Sequence, residues 1–162
     1  MKTKILIVNA HYYYAISKDL VSDAKLILDK NKIKYKIINV PGVFEIPVTI
    51  AKNIKKYDGF IALGCVIKGE TPHFDFISKA TIDALMKLSV DSKKPIGMGI
   101  ITALDIGQAG LRSGAEDLDK NISKSSVKGK LVKPNKGREA ARAVLSVLGI
   151  LKNESKWSSW KS

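Results

Sequence analysis

The chain has 162 residues, and 45% of them are hydrophobic, which is enough for a buried core without disulfide or metal crosslinks. Its one cysteine, Cys65, cannot form an internal disulfide, and no Cys/His cluster has the spacing of metal ligands, so we expect a reducing cytoplasm and no bound metal. The net charge of +13 raises the possibility of nucleic-acid binding, but the lysines are spread along the chain without a nucleic-acid-reading motif, which favours a solvated basic surface. No apolar run reaches the roughly 18 residues of a membrane-spanning helix, so no membrane is expected as a partner.

Four short apolar runs rich in β-branched residues predict buried strands, at residues 4–9, 35–40, 59–65 and 95–102. Helical periodicity lies between them, at residues 16–30 with Ser17 or Ser22 as the candidate start, and more weakly at 47–56. A third helix is predicted from an apolar stripe made of Phe76, Ile77, Ala80, Ala84, Leu85 and Leu88. A short helix at 106–112 and a long one at 138–151 follow the last strand.

This alternation of strands and helices predicts an α/β fold, with a parallel sheet covered by helices on both faces. We expect one domain over residues 1–153, with a polar insertion at 113–134 and a polar tail at 154–162 that carries two tryptophans. Ligands of such sheets bind beyond the carboxyl ends of the strands. The candidate site segments are therefore residues 11–14, 42–45, 68–75 and 102–105.

The segment at residues 64–76 leaves a strand, passes a glycine turn and presents Thr71 and His73 before a helix. Amides and a hydroxyl at a helix start favour an anion, and His73 could act as a general acid and base or could merely cap the helix. In the segment at 40–47, Glu45 could bind sugar hydroxyls beside Phe44, although a simple interaction with the helix dipole is locally favoured.

The remaining candidates are aromatic, sulfur-containing or cationic side chains. One of the tyrosines at 12–14 could stack on a heterocycle, or all three could pack within a loop. We interpret Cys65 as a small buried hydrophobic residue. Arg112 and Lys136 are either phosphate ligands or surface charges. No GxGxxG or GxxxxGK[ST] string is present, which argues against dinucleotide and P-loop enzymes.

Five segments in the same order and spacing, apart from one insertion, resemble the signatures of the lumazine synthase family. They are ILIVNAHYYYAIS, VPGVFEIP, LGCVIKGETPHFDF, IGMGIIT and NKGREAA. The resemblance implies a flavodoxin-like α/β/α sandwich with a four-stranded sheet. It also implies a transferase of riboflavin biosynthesis that condenses 5-amino-6-(D-ribitylamino)uracil with 3,4-dihydroxy-2-butanone 4-phosphate and releases phosphate and water, without a cofactor.

The resemblance also implies roles for individual residues. His73 would transfer protons, Arg112 would be the principal phosphate ligand, and Lys136 would be an auxiliary one. The implied substrate contacts are stacking by Tyr12, a pocket lining from Val43 and Phe44, a ribityl contact from Glu45, backbone contacts from Cys65, Val66 and Ile67, and sugar-phosphate contacts from Glu70 and Thr71.

Four positions depart from the family's pattern. Tyr12 stands where phenylalanine is usual, His11 and Lys68 replace arginines, and Met98 replaces an aromatic residue that reaches the neighbouring subunit's pocket. The family resemblance predicts a homopentamer with shared sites. The polar, lysine-rich insertion at 113–134 argues against closure into a shell, with a decamer as the alternative to the free pentamer.

Two other functions remain open at this point. A non-catalytic flavin or lumazine carrier would keep the fold and pocket, although it would have no use for His73 beside the cations Arg112 and Lys136. A basic RNA-binding module would bind RNA strongly and in a salt-sensitive way.

Overall fold

The computed structural model describes residues 2–114 and 135–151, and it contains a four-stranded parallel sheet. The strands are β1 (Lys4–Ala10), β2 (Lys34–Val40), β3 (Gly59–Ile67) and β4 (Ile96–Ala103), in the order β2-β1-β3-β4. In the register, Ile7 of β1 lies between Ile37 and Ile61. No helix within the described ranges is long and apolar enough to span a membrane.

In the described part of the chain, five α-helices connect or follow the strands. They are α1 (Tyr14–Lys30), α2 (Ile46–Asn53), α3 (His73–Ser92), α4 (Ile106–Ser113) and α5 (Lys136–Val147), and a 3₁₀ turn at Val43–Glu45 leads into α2. The predicted α/β class is confirmed, and the arrangement is consistent with a flavodoxin-like fold.

Strands β1 and β3 are buried on both faces, because their alternate residues point into two different apolar layers. Ile7 and Leu63 belong to the layer shared with α1, α4 and α5, whereas Val8 and Ala62 belong to the layer shared with α2 and α3. Phe60 is completely buried in the second layer. The two layers hold helices in fixed positions around the strand ends, where the site segments lie.

One helix start and one apolar stripe differ from the prediction. Helix α1 begins at Tyr14 and has no side-chain cap, so Ser17 lies in its first turn and donates its hydroxyl to the Tyr14 carbonyl (3.1 Å), while Ser22 lies in its interior. The predicted stripe of α3 is wrong at Phe76 and Ala80, which are exposed. Helical periodicity therefore located the helix, but its buried face is narrower than the run of apolar residues.

The last helix is shorter at its carboxyl end than predicted. Helix α5 ends at Val147 rather than at residue 151, because Gly149 adopts a left-handed backbone (φ +72°) that only glycine tolerates easily. The predicted tail at 154–162, and the insertion at 113–134 beyond its first two residues, lie outside the described residues.

Candidate functional site

The carboxyl ends of β1 and β3 form the centre of the candidate site. From β1 the chain moves outward to β2, and it then returns to place β3 on the other side of β1. Such a reversal leaves a crevice beyond the strand ends, which is the usual ligand position in open parallel sheets. The segments that follow Ala10, Val40, Ile67 and Ala103 all reach this edge.

The turn after β1 presents one of its three tyrosines to the interior and two to solvent. Tyr13 is partly buried against the core, and this burial is the main reason why the pKa of its hydroxyl is raised. Tyr12 is 76% exposed and meets the ring of Tyr13 edge to face at 5.0 Å, while Tyr14 is also exposed. The His11 amide donates to the Val40 carbonyl (3.1 Å), so this turn lies beside the one that follows β2. Tyr12 is thus available for stacking on a flat ligand.

The turn after β2 is held by its own glutamate. One carboxylate oxygen of Glu45 accepts a hydrogen bond from the Gly42 amide (2.9 Å), and the Glu45 amide donates to the Gly42 carbonyl (3.3 Å). Val43 is buried against β1 and β3, and its Cγ1 lies only 2.8 Å from where a Cβ on Gly64 would be. Phe44, in contrast, is 62% exposed at the crevice. Glu45 therefore has a structural role in the turn, and within the described residues its second carboxylate oxygen has no hydrogen-bond partner.

The segment after β3 changes from buried to exposed over a few residues. Cys65 is buried, as expected for a small hydrophobic residue, and burial raises the pKa of its thiol to about 12, which disfavours the thiolate that a nucleophile needs. Val66 and Ile67 are half-buried, and the Lys68 amide continues the pairing with β4 by donating to the Ala103 carbonyl (2.9 Å).

The residues that connect β3 to α3 are all on the surface. Glu70, Thr71 and His73 are exposed, and His73 is the first residue of α3, directly after Pro72. The first free amides of α3 and the helix dipole favour an anion at this end of the helix. His73 therefore lies at the amino-terminal end of α3, in the segment that follows the carboxyl end of β3.

The two candidate phosphate ligands lie close together but away from His73. Arg112 is next to the last residue of α4, and Lys136 is the first residue of α5. Within residues 2–114 and 135–151, Arg112 forms no salt bridge, whereas Lys136 pairs with Glu139 at 2.5 Å. Helices α4 and α5 cover one face of the sheet and α3 covers the other. A single chain thus places His73 and the two cations on opposite faces.

Met98 is also distant from the crevice of its own chain. It is the third residue of β4, beside Ala62 in the register, and is half exposed. Ala103, at the carboxyl end of the strand, is five residue steps further along, which corresponds to about 16 Å. Within one chain, the structure brings Tyr12, Phe44 and the β3 end together, and it brings Arg112 and Lys136 together, but it does not join Met98 to either group.

Two polar clusters were not predicted from the sequence. Asn9, which is 5% exposed, donates its side-chain amide to Asn39 (3.0 Å) near the ends of β1 and β2. Asn135 precedes α5 and bonds to the end of α4. An asparagine directly before a helical segment is a common N-cap and could have indicated the second cluster. Within the described residues, no group of three or more His, Cys, Asp or Glu could hold a metal ion.

Comparison with known proteins gives one consistent family. The family model described as 6,7-dimethyl-8-ribityllumazine synthase matches residues 2–152. A protein of that name from Afipia carboxidovorans is 38% identical over 160 residues, which cover 94% of this chain and 88% of its own length. Those from Bartonella bacilliformis and Agrobacterium fabrum are 39% and 38% identical, covering 91% and 93% of this chain and 90% and 96% of their own lengths. With a match over nearly its whole length and the parallel sheet described above, the chain belongs to the 6,7-dimethyl-8-ribityllumazine synthase family.

Proposed function

We propose that the chain catalyses the condensation of 5-amino-6-(D-ribitylamino)uracil with 3,4-dihydroxy-2-butanone 4-phosphate in riboflavin biosynthesis. The observation that carries this proposal is the family match over residues 2–152. The product is 6,7-dimethyl-8-ribityllumazine, and phosphate and water are released. The reaction needs an amine to attack a ketone, phosphate to leave and a ring to close, so its demands are proximity and proton transfer.

The crevice residues fit the needs of the uracil substrate. The exposed ring of Tyr12 stacks on the pyrimidine, while Phe44 and the buried Val43 line the pocket. The carboxylate oxygen of Glu45 that has no partner among the described residues accepts hydrogen bonds from the ribityl chain, and its other oxygen keeps the turn in place. Backbone groups at Cys65, Val66 and Ile67 bind the uracil, because these residues end the central strand.

The anionic substrate is bound by a different set of groups. Glu70 and Thr71 face the sugar phosphate, and His73 moves the protons that imine formation and elimination require. Arg112 binds the phosphate through its planar guanidinium, and Lys136 is an auxiliary ligand that exchanges its contact with Glu139 for the phosphate. Arg112 suits this role because, in the described part of the chain, no carboxylate neutralises it.

The distribution of these groups favours a site shared between copies of the chain. His73 and Arg112 lie on opposite faces of one chain, so two chains must contribute for both to contact one substrate. The surface also carries many large apolar side chains that an assembly would cover, among them Tyr14, Phe76, Met86, Val90, Leu104, Ile106 and Leu111. With the family resemblance, this supports a homopentamer with sites between subunits, and a decamer as the alternative, while the single cysteine favours a cytoplasmic location.

The direct test of the function is to mix the purified protein with both substrates and follow the fluorescence of the lumazine product. Product formation above the uncatalysed rate is the expected result. A protein that binds the lumazine without producing it would instead be the carrier, and strong salt-sensitive RNA binding without turnover would favour the nucleic-acid module.

Light scattering at moderate salt tests the assembly. We expect a mass of five subunits, or of ten. A monomer would contradict the shared site, and a mass near sixty subunits would contradict the inference that the insertion at 113–134 prevents a shell.

A further inference from the structure

The side chain of Asn135 joins two helix ends that are far apart in the sequence. Its oxygen accepts hydrogen bonds from the amides of Gly137 (2.8 Å) and Arg138 (3.3 Å), and so caps the start of α5. Its nitrogen donates to the carbonyl of Ser113, the last residue of α4, and more weakly to the carbonyl of Asp19 (3.5 Å). Asn135 is 6% exposed, so these bonds are shielded from water.

The Ser113 carbonyl is one of the groups that a helix leaves without an internal partner at its end. Ser113 is fully buried, and its hydroxyl is already used to donate to the Gly110 carbonyl (3.1 Å). A buried carbonyl without a donor is costly, so the amide of Asn135 fixes the end of α4 against the start of α5. One side chain therefore stabilises two helix ends 22 residues apart.

The hydrogen-bonded residues Ser113 and Asn135 are sequence neighbours of the two candidate phosphate ligands. Arg112 directly precedes Ser113, and Lys136 directly follows Asn135. A buried hydrogen bond between their sequence neighbours therefore holds the backbone at Arg112 next to the backbone at Lys136. We propose that Asn135 is a positioning residue: it holds Arg112 and Lys136 close to each other so that both can bind the phosphate of the sugar substrate. This inference rests on the proposed function, in which these two cations bind that phosphate.

Asn135→Ser separates the two roles of the side chain. The serine hydroxyl can still cap α5, but it is too short to reach the Ser113 carbonyl, and it introduces no charge. We expect the KM for the butanone phosphate and the dissociation constant for inorganic phosphate to rise about tenfold, which corresponds to about 1.4 kcal/mol. The KM for the uracil and kcat at saturation should stay within about twofold of wild type, because the crevice residues are not touched.

Arg138→Ala is the matched control. It removes the ion pair between Arg138 and Asp23 (2.7 Å), which also ties the start of α5 to α1, but it leaves the Asn135 bond in place. We expect it to lower the melting temperature without weakening phosphate binding. The two variants are compared by steady-state kinetics with each substrate varied, by calorimetric titration with inorganic phosphate, and by thermal denaturation.

Three results would overturn the positioning role: phosphate binding by Asn135→Ser equal to wild type, the same loss in Arg138→Ala, or equal rises in KM for both substrates. If the wild-type protein forms no lumazine at all, the proposed function fails instead. The titration with inorganic phosphate then still decides whether Asn135 organises an anion site.

Discussion

The contact between the start of α5 and α1 allows a quantitative prediction for Gly137→Ala. A Cβ at this position would lie 2.0 Å from the carbonyl oxygen of Leu20 and 2.8 Å from its carbon, and both are backbone atoms that cannot rotate away. The two helices would have to separate by roughly 1 Å to restore even a tight contact, and overpacking of this kind costs about 1–3 kcal/mol or more. The better helix propensity of alanine returns at most about 1 kcal/mol. The clash therefore dominates.

We expect the free energy of unfolding of Gly137→Ala to fall by about 2 kcal/mol, and its melting temperature by about 4–8 °C for a chain of this size. Gly69→Ala is the matched control, because a Cβ on Gly69 would meet no atom within 4 Å. That variant should be neutral or up to about 1 kcal/mol more stable, since alanine restricts the unfolded chain. Both are measured by urea and thermal denaturation at one protein concentration. A Gly137→Ala protein as stable as Gly69→Ala would refute the close helix contact.

Three further predictions concern the proposed site and Cys65. His73→Ala should keep the fold and slow turnover by roughly ten- to ten-thousandfold, with the lower end expected if proximity supplies most of the catalysis. An unchanged rate would mean that His73 does not transfer the protons. Arg112→Ala should raise the KM for the butanone phosphate far more than the KM for the uracil, whereas equal effects on both would separate Arg112 from the phosphate. Burial raises the pKa of Cys65 from its ordinary value of 9.0 to about 12, because the folded state disfavours the thiolate. The contribution of the thiol to stability is therefore complete below pH 9. Between pH 9 and 12 the free energy of unfolding falls by up to about 1.4 kcal/mol per pH unit, because only the unfolded chain releases the proton. In urea titrations across that range, Cys65→Ala should show a shallower fall in stability than wild type, and parallel curves would count against the shift.

The sequence was sufficient for β1 and β3 because both are buried on both faces and so appear as apolar runs. The edge strand β2 was located by its β-branched residues, although Lys34, Lys36 and Asn39 are exposed. Strand β3 still extends two residues beyond the prediction, as Val66 and Ile67 pair with Thr102 and Ala103 of β4. Helix ends were less predictable. The start of α1 at Tyr14 uses no side-chain cap, so it leaves no signal in the sequence. The end of α5 did have a signal in Gly149, whose position after the apolar run is typical of a helix stop.

The site was predictable where it depends on strand ends and unpredictable where it depends on tertiary contacts. The rule for parallel sheets locates Tyr12, Phe44 and His73 beyond the strand ends from the order of elements alone. The opposite placement of His73 and Arg112 depends on which face of the sheet each helix covers, which periodicity does not reveal. The proximity of Arg112 and Lys136 involves a hydrogen bond between Asn135 and Ser113, 22 residues apart, and the sequence signals only half of that contact, the asparagine N-cap of α5.

The bond between Asn135 and Ser113 also makes this part of the chain a suitable place for insertions, in evolution or in protein engineering. Since the two anchor residues touch, the stretch between them needs only to leave and return to the same point. The entropy of closing such a loop grows logarithmically, so that doubling its length costs only about 0.6 kcal/mol. Relatives could therefore gain or lose residues here with little effect on the sheet, and a peptide epitope or a small folded domain could be grafted between positions 114 and 135 while the anchors preserve the rest of the molecule.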